Sequence, residues 1–452
     1  MSWQKHLASI IEQEPELWLD YLTGKRLAGD LPMLKTKRFA PPTFGLKALW
    51  FAVWALGKWS FRAEFSPTTH AKSSFVVLAT SRNQINTTSG TIEALRAEGN
   101  SVLGISKKKR LKATDEKRLY DPIAYNAKDI IRALIAFRNH GRTLDNQLKE
   151  KCVKGARSYF LEIAKVYLYL AYFYRILGET NPKYVVTSND HSALNRCMLA
   201  IAHHLDIKTV YIQHASVSPA FPALLFDYAF LDGPAAAETY ARCSDNRPDT
   251  LKRCVKPNII YSGQKKSLTR QSEKTKHNVG IAVNKLDDMD SVIEVIQSLI
   301  NQSVKVITRW HPRQSMSDIR KLEKQASYSV NLTLSNPEHE TVDDFLSSLD
   351  WLVAGNSSIH LEGAIKGVAP IYYEFSPAEI SDYYGYAKKG LAKWVKSENE
   401  LLAILTSGAP PELNRNAVRF YSSTFGTEWE GRESELVAKH LSSQPLANDQ
   451  TD

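Results

Sequence analysis

Residues 350–375 read DWLVAGNSSIHLEGAIKGVAPIYYEF. The apolar run WLVA predicts a buried strand, and Gly355-Asn356-Ser357-Ser358 punctuates it. Leu361, Ala364 and Ile365 then recur at helical spacing, and the apolar residues after Gly367 predict a second buried strand. Strand, turn, short helix and strand make a βαβ unit, the crossover that parallel strands require. Runs that are apolar throughout, rather than alternating, belong to sheets covered on both faces. The predicted class is α/β. In such sheets ligands bind beyond the carboxyl ends of the strands, where the two serines fall.

The same rhythm extends outward from this unit. NVGIAVN (278–284), SVIEVIQSLINQ (291–302), VKVITRWHP (304–312), a helix before Val330 and TVDDFLSSL (341–349) alternate strand and helix ahead of it. An earlier series contains SSFVVLAT (73–80), TSGTIEALRAEGNSVLGIS (88–106), KYVVTSND (183–190), SALNRCMLAIAHHLD (192–206), TVYIQHA (209–215) and DYAFLDG (227–233). Between them the polar stretch GQKKSLTRQSEKTKH (263–277) offers almost nothing to bury and reads as a linker. A helical stretch from about 129 to 177 includes YFLEIAKVYLYLAYFYRIL, so aromatic that it must be buried on most of its surface. The expected organisation is an N-terminal helical segment (1–70), two parallel-sheet domains (71–262 and 263–400), and C-terminal helices with a tail (401–452). No GxGxxG follows a strand, which weighs against a dinucleotide enzyme.

The 452 residues, 43% hydrophobic and 23% charged, suit a globular protein with two cores. Cys152, Cys197, Cys243 and Cys254 form no CxxC pair, so neither a zinc site nor a disulfide framework is expected. The first thirty residues lack the basic start and apolar core of a signal peptide, which predicts a cytoplasmic protein. A net charge of +10 favours an acidic partner: a nucleic acid, an anionic lipid surface or a phosphorylated substrate. The run ALWFAVWALG (48–57) is about half the length of a membrane span. Flanked by Lys35, Lys37, Arg38, Lys47 and Lys58, and with Trp50, Trp54 and Trp59, it reads either as a helix lying on an anionic membrane or as one packed against the protein. KKKR (107–110) reads as a solvated loop or a contact to phosphate or lipid.

Unusual residues cluster at the predicted strand ends. Ser357 and Ser358 stand where a helix begins, and free N–H groups, the positive helix end and two hydroxyls there hold a phosphate; a plain capping box with Glu362 is the alternative. His311 closes another strand and Pro312 halts the ladder, so the imidazole and Arg309 or Arg313 can face a ligand. Asn356 belongs to the same turn. In the earlier series, Asp190 and Asp232 end strands as candidate catalytic carboxylates, each also readable as a cap or turn residue. Asp287–Asp290, DDMD, reads as the cap of the following helix rather than a metal site.

HP closing one strand, Ser-Ser opening a later helix and QH ending an earlier strand resemble bacterial GT-B glycosyltransferases that use CMP-activated acidic sugars. The nearest are the Kdo transferases of capsule and lipopolysaccharide assembly and the polysialyltransferases with HP and SS motifs. The resemblance spans residues 183–374 and implies two Rossmann-like domains facing a cleft. It also implies a CMP-sugar donor on Arg309, His311, Asn356, Ser357, Ser358 and Glu362 of the second domain. The first domain would hold a glycan or lipid-linked glycan acceptor with His191 and Gln213, and supply a catalytic group from Asp232, Asp190 or His214, ranked in that order for the two carboxylates. No obligatory metal is expected. The similar CDP-glycerol phosphotransferases of teichoic acid synthesis are the alternative within the enzyme class. A non-catalytic binder of anionic polymer is the alternative outside it; no nucleic-acid-binding signature supports that one, and no nucleic-acid partner is expected.

Overall fold

The computed structural model describes residues 24–25, 41–59, 71–107, 114–150, 159–189, 191–217, 221–243, 257–264, 278–285, 287–376, 380–406 and 410–443. Asp190, Cys152, Cys254, most of the KKKR run and most of the expected linker lie outside them. The chain divides into two compact units. One comprises the chain through Leu231, residues 236–265 and the stretch from Arg432; the other comprises Asp232–Ala235 and residues 266–431.

In the first unit α1 (Phe44–Leu56) precedes β1 (Phe75–Ala79), α2 (Arg82–Ala97), β2 (Val102–Ser106), α3 (Thr114–Leu119) and β3 (Tyr120–Pro122). Three helices follow: α4 (Ala127–Glu150), α5 (Phe160–Ala164) and α6 (Val166–Thr180). Then come β4 (Tyr184–Thr187), α7 (Ala193–His204), β5 (Lys208–Ile212), β6 (Tyr228–Leu231), α8 (Pro234–Arg242) and β7 (Asn258–Tyr261). Among the described residues the sheet has seven parallel strands in the order β3-β2-β1-β4-β5-β6-β7. β1 is buried at every residue, as a central parallel strand must be.

The aromatic stretch 159–177 is core, with Tyr167, Phe173 and Ile176 each at most 1% exposed. The single helical stretch expected there is instead divided among α4, α5 and α6. Inside it Asp129 accepts two bonds of 2.8 Å from Arg175, whose Nη2 also reaches the Ala124 carbonyl. A planar guanidinium matched to a carboxylate is the arrangement that makes such burial tolerable.

The second unit runs β8 (Asn278–Ala282), α9 (Met289–Asn301), β9 (Lys305–Arg309), α10 (Met316–Ala326), β10 (Leu332–Ser335), α11 (Val342–Ser347) and β11 (Trp351–Ala354). It continues with α12 (Ile359–Lys366), β12 (Ala369–Tyr373), β13 (Lys393–Val395), α13 (Glu398–Thr406) and α14 (Arg415–Tyr421); α15 (Glu433–Ser442) groups with the first unit. Its described strands form a six-stranded parallel sheet, β10-β9-β8-β11-β12-β13. Helix starts follow local chemistry. Asp288 caps α9 by accepting from Asp290 and Ser291, and Thr341 and Asp344 form a reciprocal capping box on α11. In both sheets the strand order reverses between the first and fourth strands of the series, β1/β4 and β8/β11. In open parallel sheets the ligand crevice lies at such a switch point, beyond the carboxyl ends of the strands.

Candidate active site

Register aligns three strand ends in the second unit. Ala282 of β8 pairs with both Arg309 of β9 and Ala354 of β11, so the residues that follow each emerge at one level. Two positions on stand Asn284, His311 and Asn356, and next come Lys285 and Ser357. β9 and β11 flank β8, which puts His311 and the Ser-Ser turn about 10 Å apart at the strand level, a gap side chains and one phosphate can bridge.

Each group is held by its neighbours. The His311 Nδ1 accepts the Arg313 N–H at 3.0 Å, so the neutral ring carries its proton on Nε2 and presents it as a donor. Partial burial, then Arg313, then Lys285 hold the His311 pKa below the ordinary histidine value. An anion among these three would act in the opposite sense. At the Ser-Ser turn Ser358 is the N-cap residue of α12, but its hydroxyl caps nothing. The Ser357 Oγ accepts weakly, at 3.4 Å, from Ile359. The capping box with Glu362 does not form. Both serines are half-buried at this helix start, where the Leu361 N–H turns back onto the Ser358 carbonyl at 3.2 Å.

The turn is clamped from beneath. Asn284 donates to the Asn356 carbonyl at 2.8 Å, and its own N–H is accepted by Asp287 at 2.7 Å. Gly355 leaves room for that carboxylate: a Cβ there would meet Asp287 Oδ1 at 3.1 Å. The Asn356 side chain donates to Ile380 and accepts from Tyr383, both at 2.8 Å, so it ties down the 380–383 segment. His360 is fully buried behind the turn, with Nε2 on the Gly355 carbonyl at 3.0 Å and a pKa brought down to about 4 by burial.

Of the two arginines that could face a ligand, Arg309 is held inside the fold. It is buried, donating to Ser335 Oγ at 2.7 Å and to the Glu340 carbonyl at 2.9 Å. Burial lowers its pKa against the opposing charges of Glu340, Glu362 and Asp344, and Glu362 is itself buried. Arg309 is thus a strut beneath β9's end, and the cations beside His311 are exposed Lys285 and Arg313. Lys285 was not singled out from sequence, although it sits just past a strand end.

Burial pushes the Asp287 carboxyl up to about 6 from 3.8. The sign follows from linkage: the folded protein holds the proton more tightly, so this contribution is complete below about pH 4 and lost as pH rises through about 6. Asp287→Asn keeps an acceptor for Asn284 without a charge. Its stability relative to the parent should rise from near zero at pH 4 to about 2–3 kcal/mol by pH 8. Urea unfolding across that range checks this; a pH-independent difference would refute it.

In the first unit a buried hydrogen-bond network lies at the ends of β1 and β4. Asn195 contacts Thr187 and accepts from the Ser192 Oγ at 2.7 Å, and Gln84 accepts from the Thr80 N–H at 2.6 Å. Beside it two buried polar atoms have no hydrogen-bond partner among the described residues: Ser188 Oγ at the end of β4 and His214 Nδ1 beyond β5. Burial and the neighbouring His191 bring the His214 pKa down to about 4, with the Ser188 main chain opposing. The His191 ring packs edge-on against Phe221 at 4.4 Å. Gln213 turns back on the Ala215 carbonyl at 3.0 Å.

Asp232 is buried, and its carbonyl accepts from Ser423 at 2.9 Å. A Cβ on the adjacent Gly233 would lie 2.7 Å from the Phe420 carbonyl, so this turn is a close backbone approach. Ser188 stands first in the strand-end stretch SNDH (188–191) but had no role assigned from sequence, because nothing local tells an unpartnered hydroxyl from a satisfied one.

No protein-family model matches the sequence, and no curated protein matches it. Solved structures match in fold. A Listeria monocytogenes protein described as a UDP-N-acetylglucosamine 2-epimerase has a TM-score of 0.50 at 11% identity, covering 83% of this chain and 98% of its own. The Neisseria meningitidis UDP-GlcNAc 2-epimerase bound to UDP-GlcNAc gives 0.49 at 10%, covering 82% and 100%. Acinetobacter baumannii MurG gives 0.43 at 12%, covering 82% and 100%. The chain has the GT-B fold of two Rossmann-like domains.

Proposed function

We propose that the protein is a nucleotide-sugar-dependent glycosyltransferase. Its donor phosphate sits on the His311 Nε2–H, the Ser357 and Ser358 hydroxyls and the positive N-terminal end of α12. The observation that carries this reading is the register of β8, β9 and β11, which aligns a locked imidazole donor and a helix start that caps nothing around the switch point of the second sheet. In transfer, charge builds on the leaving phosphate, and preorganised donors aimed at it lower the barrier. His214, neutral and with an unpartnered nitrogen, takes the proton of the acceptor hydroxyl. One helix start and one imidazole suit a single phosphate, which favours a CMP-activated acidic sugar, Kdo or a sialic-acid-like residue, delivered to a capsule or lipopolysaccharide glycan. No metal takes part in this scheme.

A second reading has its own support. Exposed Lys285 and Arg313 beside His311 add charge for a second phosphate, as in a CDP-glycerol or a UDP-sugar donor. Thermal-shift titration in EDTA with CMP, CDP, UDP and GDP separates them. A hundredfold excess over Kd should raise the melting temperature by about 5–10 °C. Selectivity for CMP supports the first reading and selectivity for a diphosphate the second. No shift with any nucleotide, in a folded protein, overturns both.

A further inference from the structure

Helix α1 is built inside out. Its buried side carries Lys47, with Phe51 and Ala55. Lys47 is ion-paired to buried Asp145, which also bonds Lys149 at 2.6 Å. Its outward side carries Leu46, Leu49, Trp50, Val53 and Leu56, between 38% and 61% exposed. Those positions fall at i, i+3, i+4, i+7 and i+10, one continuous stripe of the helix without a polar residue in it. Helix α4, which packs on α1 through Phe137, also leaves Ile131 and Ile135 exposed. Scattered exposed leucines need no explanation, but a whole solvent face of this kind marks a surface meant to be covered.

We infer that this face docks on an anionic lipid bilayer. The cations around it choose the partner. Exposed Lys58 lies 5.9 Å from the Trp54 ring and exposed Arg142 sits 5.5 Å over Phe44, while Lys165, 5.9 Å from Trp50 and 5.7 Å from Trp54, is already paired with Glu162 at 2.8 Å. Aromatic rings with cations at their edges, bordering an apolar stripe, match the acyl boundary and the phosphate layer of an anionic leaflet. The net charge of +10 adds long-range attraction. No helix among the described residues is long and apolar enough to cross a membrane, so α1 lies in the interface plane. This inference is independent of the proposed chemistry.

The test is flotation of the full chain with vesicles of phosphatidylcholine containing 30% phosphatidylglycerol, against phosphatidylcholine alone, at low and high salt. The expected result is partitioning at least tenfold stronger to the anionic vesicles and weakened by salt, with a blue shift of tryptophan emission that is reduced in Trp50→Phe. Leu49→Glu with Val53→Glu should reduce partitioning at least tenfold, and Leu49→Ala with Val53→Ala severalfold, both at unchanged melting temperature since the residues are exposed. Failure of the folded parent to float, or equal binding by the glutamate variant, overturns the inference. So does a lipid-independent dimer, seen by light scattering, that the glutamate substitutions dissociate.

Discussion

Replacing His311 with alanine should lower kcat/KM for the sugar donor by about 10²–10³, the effect of removing one preorganised donor from a developing anion. The Nδ1 bond to Arg313 is the reason for so large an effect. It fixes the tautomer, so the ring arrives with its Nε2–H already aimed and nothing is reorganised during reaction. Alanine also removes the acceptor of that N–H, at a cost of about 1 kcal/mol in stability. His311→Gln places an amide N–H near the Nε2 position and should recover about tenfold of the loss, which a purely structural role would not produce. Steady-state kinetics with a CMP-sugar and a diphosphate sugar as donors measures it. A value within threefold of the parent would show that the phosphate rests elsewhere.

The central parts of both sheets were legible because buried parallel strands announce themselves as apolar runs. The strands that escaped are β3, β7, β10 and β13, the four edges of the two sheets. Each has three or four residues, and β7 is largely exposed. An edge strand pairs on one side only and needs no continuous apolar run to be held. Segment 258–261 is recruited by register to β6, information that lies outside its own residues.

The strand-end rule also singled out His311, Ser357, Ser358 and His214, and the structure sets each of them just past the end of a strand. It could not tell Arg309 from Arg313, because what buries Arg309 is Ser335 of β10 and the Glu340 carbonyl, both of them long-range partners. Nor could it foresee that Asn356 is spent on Ile380 and Tyr383. Polar residues at a turn read alike in sequence. Which of them face a ligand is decided by what else claims their hydrogen bonds.

His214→Ala should reduce turnover by about 10²–10⁴ while leaving the nucleotide-induced thermal shift intact, since His214 belongs to the first unit and the proposed phosphate site to the second. Ser188 Oγ and His214 Nδ1 are buried without a partner among the described residues, and on the proposed function an acceptor hydroxyl would supply their bonds. Ser188→Ala separates this from a structural role: removing an unpartnered buried hydroxyl should leave stability unchanged or raised, yet increase KM for the acceptor. The pH profile carries the same argument. With a pKa near 4, His214 loses its free nitrogen only as pH falls through about 4, so kcat/KM should hold level from pH 7 down to about 5 instead of falling through 6.5. Turnover within threefold of the parent in His214→Ala would remove it as the base. The proton would then pass to Asp232, buried on the turn where Gly233 admits the Phe420 main chain.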